Sequence, residues 1–157
     1  MNRKIYLSKS GISGKGIFAR QTCQIGEPLF FLNGRLVSRQ KMIDLGEDGD
    51  VLIQVDNREY VIPTYPALYV NHSCSPSVGI RNDFSFVALR YLRKGDEITL
   101  DYSTTMLERM WTMPCQCNSP QCRSKIVDFD LVPSSIQNRY LRLDVVQGFI
   151  KKQIAQN

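Results

Sequence analysis

One histidine and one tryptophan occur in 157 residues, and no apolar stretch approaches the roughly 20 residues that a membrane-spanning helix needs. A helical membrane protein is therefore excluded. After Met1-Asn-Arg-Lys-Ile-Tyr-Leu the chain continues with Ser, Lys, Ser and Gly, where a secretory leader would carry its apolar core. An intracellular, reducing compartment is the expectation. The chain also lacks long Lys/Arg runs and low-complexity tracts. Its net charge of +5 and pI of 9.0 thus hint only weakly at nucleic acid. Apolar residues at 43% and charged residues at 22% are ordinary for a folded domain and argue against global disorder.

Charge is unevenly spread. Residues 44–59 hold Asp44, Glu47, Asp48, Asp50, Asp56 and Glu59 against a single base, Arg58. Such a window can steer a basic ligand to one side of a molecule, or form solvated surface.

The hydrophobic pattern predicts a chain of short strands. Ser10-Gly-Ile-Ser-Gly-Lys-Gly16 is a turn-rich entry to Ile17-Phe18-Ala19. Asn33-Gly34 between Leu29–Leu32 and Arg35–Val37 reads as a hairpin turn. Ser38 is placed to cap a short helix through Ile43, with Gly46 ending it. Val51–Val55 and Tyr60–Ile62 read as strands across Asp56–Glu59. Phe84–Leu92 and Ile98–Leu100 follow, separated by a Lys94-Gly95-Asp96 turn. Past Pro133 the pattern turns helical: Leu141, Val145 and Phe149, with Val146, Ile150 and Ile154, recur at steps of four. This stripe reads as a packing face.

Five cysteines occur, and Cys115-Gln-Cys117-Asn-Ser-Pro-Gln-Cys122 sets three of them within eight residues. Adjacent Cys-x-Cys residues make a strained disulfide, whereas thiolates converging on one point suit tetrahedral zinc. A fourth ligand must come from Cys74, Cys23 or His72. Taken alone, His72 reads as a hydrogen-bonded structural residue, and Gly14-Lys15-Gly16 as a tight turn.

Four motifs nevertheless follow one another in a fixed order. They are Gly14-Lys15-Gly16-Ile-Phe-Ala, Tyr69-Val-Asn-His-Ser-Cys74-Ser-Pro76, Lys94-Gly-Asp-Glu-Ile-Thr-Leu-Asp-Tyr102, and the cysteine cluster. That order closely resembles the SET-domain family of protein lysine methyltransferases, including its zinc-binding post-SET segment, over about Lys4 to Ser124. The resemblance implies a mainly β fold with short helices, built from small, mostly antiparallel sheets with a knot-like crossing. It divides the chain into a SET domain at 1–112, a post-SET zinc-binding segment at 113–126 and a C-terminal helical appendage at 127–157, with no pre-SET domain.

The implied activity is transfer of methyl groups from S-adenosyl-L-methionine to the ε-amine of lysine in a basic protein or peptide, histone tails being one candidate. Gly14, Lys15, Gly16, Asn71, His72 and Tyr102 would bind the cofactor, and Tyr102 would be catalytic. Cys74 would join Cys115, Cys117 and Cys122 around structural zinc, leaving Cys23 free. Asn118, where the family has glycine, suits a left-handed backbone. Leu100, two residues before Tyr102, occupies the site that helps set how many methyl groups are added. Two other readings are a catalytically silent SET scaffold and a small zinc-stapled nucleic-acid binder; the second leaves the glycine loop and Asp101-Tyr102 unexplained.

Overall fold

The computed structural model describes residues 3–45 and 52–156. Short strands rich in β-branched and aromatic residues dominate it, as that composition favours. β1 (Ile5–Lys9) and β2 (Lys15–Ala19) form an antiparallel hairpin over the glycine-rich turn. β3 (Pro28–Phe31), β4 (Gly34–Ser38) and α1 (Arg39–Leu45) follow, then the β5 (Ile53–Asp56) and β6 (Glu59–Pro63) hairpin. The Asn-His segment holds β7 (Asn71–His72), succeeded by β8 (Val78–Ile80), β9 (Ser85–Ala88) and β10 (Glu97–Leu100).

The main sheet runs β1-β2-β10-β8-β9-β3, and β7 also pairs with β10. All its pairings are antiparallel except those of β10 with β7 and β8. β10 is thus the strand on which the chain's two halves meet, and its Ile98 and Leu100 are buried in the principal core with Ile17, Val78 and Phe86. Ser77 locks this crossing. Its Oγ accepts the Thr99 N–H at 2.8 Å and donates to the Glu97 carbonyl at 3.0 Å.

The expected hairpin at Asn33-Gly34 does not form. β3 pairs with β9, whereas β4 pairs with β6 in a separate sheet, β4-β6-β5. The Asn33 carbonyl accepts the Thr64 N–H at 2.8 Å, so the dipeptide carries the chain from one sheet to another. Tertiary pairing overrides the local turn signal. Ser38 does cap α1, its Oγ accepting the Lys41 N–H at 3.3 Å; Gly46, the expected stop, lies outside the described residues.

β11 (Met113–Pro114) pairs with β12 (Lys125–Ile126) and closes the cysteine cluster into a loop. Beyond it lie α2 (Ser134–Arg142) and α3 (Gly148–Ile154). The apolar stripe is split between them, because Asp144 turns left-handed at φ 54°. Its members still converge: Val145, Val146, Phe149 and Ile150 are buried with Val87 of β9, and Leu141 and Ile154 pack against them. Among the described residues no helix is long and apolar enough to cross a membrane.

Gly79 on β8 is the notch that seats this C-terminal layer. A methyl added there would lie 2.5 Å from Cβ and 2.6 Å from Cγ1 of Val145. Gly79→Ala is expected to cost ~1–3 kcal/mol through overpacking, read from the urea midpoint. A variant as stable as its parent would contradict this packing.

Candidate active site

β10 leads directly into Asp101 and Tyr102, where a short 3-10 turn, Tyr102–Thr105, begins. The parallel register sets Leu100 opposite His72. His72 is thereby brought under Tyr102: its Nδ1 accepts the Tyr102 N–H at 3.2 Å, and the two rings meet edge to face at 5.2 Å. The Tyr102 hydroxyl donates to the Val70 carbonyl at 2.7 Å. Burial, reinforced by Glu97, pushes this phenol up to about 12, so it stays protonated at neutral pH. Burial likewise lowers His72 to about 4, with Asp101 opposing and Arg123 adding to the shift. The imidazole is neutral.

The glycine turn sits beside this pair. The Asn71 side-chain Nδ2 donates to the carbonyls of Ser13 and Lys15, each at 3.2 Å, and to Glu97 Oε1 at 2.9 Å. Ser10 Oγ donates to the same Glu97 oxygen at 2.8 Å. Gly14, Lys15, Gly16, Asn71, His72 and Tyr102 therefore form one contiguous patch. Gly14 adopts φ +45°, and a side chain there would meet nothing within 4 Å, which leaves room beside the loop. Gly16 has a different reason for being glycine: a Cβ would strike Glu97 Oε1 and Asn71 Nδ2. Its bareness accommodates the buttress of the turn. Glu97, inside a motif noted in the sequence, is the partner that sequence reasoning missed.

The cysteine cluster folds back onto the same place. Cys74 Sγ lies 3.7 Å from Cys115 Sγ, close to the roughly 3.8 Å edge of a tetrahedron with metal–sulfur bonds near ~2.3 Å. The ligand atoms of His72, Cys74, Cys115 and Cys117 all lie within 4.8 Å of one another. Cys122 stands outside that foursome, although its thiol contacts those of Cys115 and Cys117. Burial pushes Cys117 up, but N–H donors from Cys74 and Ser119 and the neighbouring thiols more than offset it and bring it down to about 7. The Arg123 N–H donates to Cys74 Sγ at 3.3 Å and the Ser124 N–H to Cys122 Sγ at 3.3 Å. Burial pushes the Cys74 thiol up, and the Arg123 N–H opposes this; metal binds the thiolate form. Because His72 Nδ1 is an acceptor, the ring proton resides on Nε2, 3.4 Å from Cys74 Sγ; the imidazole donates to that sulfur. Cys23 is buried in the core, bridged to Leu92, and takes no part. Asn118 and Ser124 both turn left-handed, at φ 51° and 62°.

Next to Tyr102 opens a cavity of about 430 Å³. Val70, Phe86 and Leu100 close it within the core, and Ile43, Leu68 and Met110 line it near the surface. Tyr60 also lines it, while Tyr65 and Tyr69 do not. Among the described acids of the 44–59 window, Asp44 is bonded by Gln40 at 3.0 Å, and Asp56 and Glu59 sit on the β5–β6 hairpin. Glu47, Asp48 and Asp50 lie outside the described residues.

One carboxylate ties these parts together. Asp101, whose side chain is 0% exposed, receives Arg123 through the two terminal guanidinium nitrogens at 2.7 and 2.8 Å. It also accepts the Tyr140 hydroxyl of α2 at 2.9 Å and the Ser103 N–H at 3.2 Å. Charge-assisted, bidentate contacts of this kind are strong. Breaking a buried pair from one side strands the other charge, at about 3–5 kcal/mol. Arg123→Met is therefore expected to lose stability of that order in urea denaturation, and a loss of less than about 1 kcal/mol would refute the pairing.

Comparison with known proteins agrees with this arrangement. Residues 14–103 match the family described as SET domain, over more than half the chain. Histone-lysine N-methyltransferase 2B of Homo sapiens is 27% identical over 131 residues, covering 73% of this chain and 5% of that protein. Histone-lysine N-methyltransferase trr of Drosophila melanogaster is 26% identical over 135 residues, with 76% and 6% covered. Histone-lysine N-methyltransferase TRX1 of Oryza sativa subsp. japonica is 26% identical over 164 residues, with 92% and 16% covered. This chain thus corresponds to a small part of each relative. With its Asn-His segment threaded beside the strand that delivers Tyr102, the chain belongs to the SET domain family.

Proposed function

We propose that the protein is an S-adenosyl-L-methionine-dependent methyltransferase acting on the ε-amine of lysine in a protein or peptide. The observation that carries this reading is Tyr102: its hydroxyl, fixed on the Val70 carbonyl at 2.7 Å, lines an apolar cavity and stands next to the Asn71–His72 segment. Bound cofactor would supply a methyl group on a sulfonium sulfur. The open glycine turn and the Asn71–His72 segment would bind it, and Gly14, Lys15 and Gly16 would contribute main-chain contacts.

The acceptor must be neutral to attack, whereas free lysine has a pKa near ~10.4. The apolar walls of the cavity penalise the ammonium form and lower that value, while the Glu108 carboxylate in the lining opposes them. Tyr102 has its proton committed to Val70, so its oxygen lone pairs would be the groups left to meet the substrate. They would orient the amine and make weak contacts to the polarised methyl group. The lysine ammonium would give up its proton to solvent before attack, so that its neutral nitrogen would take the methyl group and leave as methyl-lysine ammonium. Catalysis is then mainly alignment in a dry site.

The thiol set fits zinc. Cys74, Cys115, Cys117 and Cys122 would hold it with no open position, making the ion structural; His72, donating through Nε2, would support the Cys74 thiolate. Cys74 follows His72 by two residues, so the ion would clamp residues 113–126 over the cofactor segment. Histones, named in the relatives, are candidate substrates in an intracellular setting. Asp48 and Asp50 belong to the window that would favour a basic peptide.

The test is incubation with labelled S-adenosyl-L-methionine and a lysine-containing peptide array, beside Tyr102→Phe. Labelled methyl-lysine is expected from the parent, with kcat falling roughly 100-fold in the variant, the scale set by losing one oriented polar contact in the transition state. No label from the parent, while the cofactor still binds, would favour the silent scaffold.

A further inference from the structure

Among the described residues that line the cavity beside Tyr102, one side chain is charged, Glu108. Its position on the segment after the Tyr102 turn belongs to none of the motifs read from the sequence. The other polar side chains of the lining are already committed. Gln54 accepts the Leu107 N–H at 2.9 Å and donates to the Asp56 carbonyl at 3.2 Å. Thr105 donates to the Tyr102 carbonyl at 3.0 Å, and Tyr102 to Val70. Tyr60 spends its proton on Glu108 Oε2 at 2.6 Å. Glu108 Oε1 has no hydrogen-bond partner among the described residues, and the carboxylate makes no ion pair within 4.0 Å there.

We infer that Glu108 is the counter-charge that selects a cationic amine at this cavity, holding the incoming ammonium until it gives its proton up to solvent for methyl transfer. The inference rests on reading the cavity as the amine-acceptor site. An alkyl chain gains from the apolar walls, but an ammonium cannot leave water without a compensating group. Glu108 is the lining carboxylate that meets this need, and Tyr60 fixes its orientation from β6. Burial already pushes its carboxyl above the ordinary range; Tyr60 opposes this, Asp128 adds to it, and Arg39 opposes it again. A partly desolvated carboxylate of this kind gains more from an arriving cation than a solvated one. Glu108 also lines the adjoining polar cleft of about 870 Å³, where Arg39, Arg58, Arg109 and Lys152 outnumber the one other described acid, Asp56. Those bases repel an ammonium, so the attractive route for a cation is the apolar side.

The test needs no methyl transfer. Trp111 is the chain's one tryptophan and lines the cavity, so its fluorescence reports occupancy by n-butylammonium, a lysine side-chain mimic, or by neutral n-butanol. The full-length parent is expected to bind the ammonium more tightly than the alcohol. Glu108→Gln, which keeps size and can still bond Tyr60, should weaken the ammonium about tenfold and leave the alcohol within about twofold. Tyr60→Phe, which keeps the carboxylate, should retain the preference. Equal affinity of the parent for the two probes, no response to either, or an unchanged preference in Glu108→Gln would overturn the inference. Should the ammonium preference hold while no peptide is methylated, it is the enzymatic reading that falls.

Discussion

A single buried carboxylate organises this molecule. Asp101 ends the strand on which the two halves of the sheet meet, caps the turn that starts with Tyr102, and receives Arg123 and Tyr140 from two later parts of the chain. A fully buried charge is tolerable only when every lone pair is used. Here that requirement recruits the cysteine segment and α2 to the same point. The 3-10 turn, the thiol cluster and the C-terminal layer are therefore neighbours by electrostatic necessity as well as by apolar packing.

Around this anchor the site divides into three regions with distinct physics. The glycine turn is polar and held by Asn71 and Glu97, with room beside Gly14. The thiol cluster is lined by N–H donors from the backbone and from the His72 ring. Among the described residues the cavity's lining is apolar apart from Tyr60, Tyr102, Glu108 and a few internally satisfied groups. Tyr102 and His72 stand where the three meet. This separation matches what a methyl transfer demands on the proposed reading: a polar seat for the donor, a dry channel for the acceptor, and a rigid hinge between them.

Much of this was legible in the sequence, because it resides in short motifs whose order survives folding. The strands around Ile17, Tyr60 and Ile98 and the cap at Ser38 follow from local chemistry, whereas the left-handed Asn118 and the nearness of Cys74 to Cys115 were implied by the ordered motifs' resemblance to the SET-domain family. Partners far apart along the chain were not legible. Asn33-Gly34 has the chemistry of a hairpin, yet β9 and β6 compete successfully for its flanking strands. The helical stripe past Leu141 has an unbroken period, but Asp144 interrupts the backbone without disturbing the buried face. Glu97, Asp101, Arg123 and Tyr140 matter through contacts spanning 22 to 87 residues, for which spacing carries no signal. Glu108 lies in no motif at all and is visible only once the cavity walls are known.

The central claim is that Asp101 couples the thiol cluster to the Tyr102 turn without touching a sulfur itself. The direct measurement is zinc affinity, by competition with a chromophoric chelator, for the parent protein and for folded Asp101→Asn. The account predicts affinity lower by about tenfold or more in the variant, the range typical of groups that orient metal ligands from behind. Equal affinity in the two proteins would contradict it.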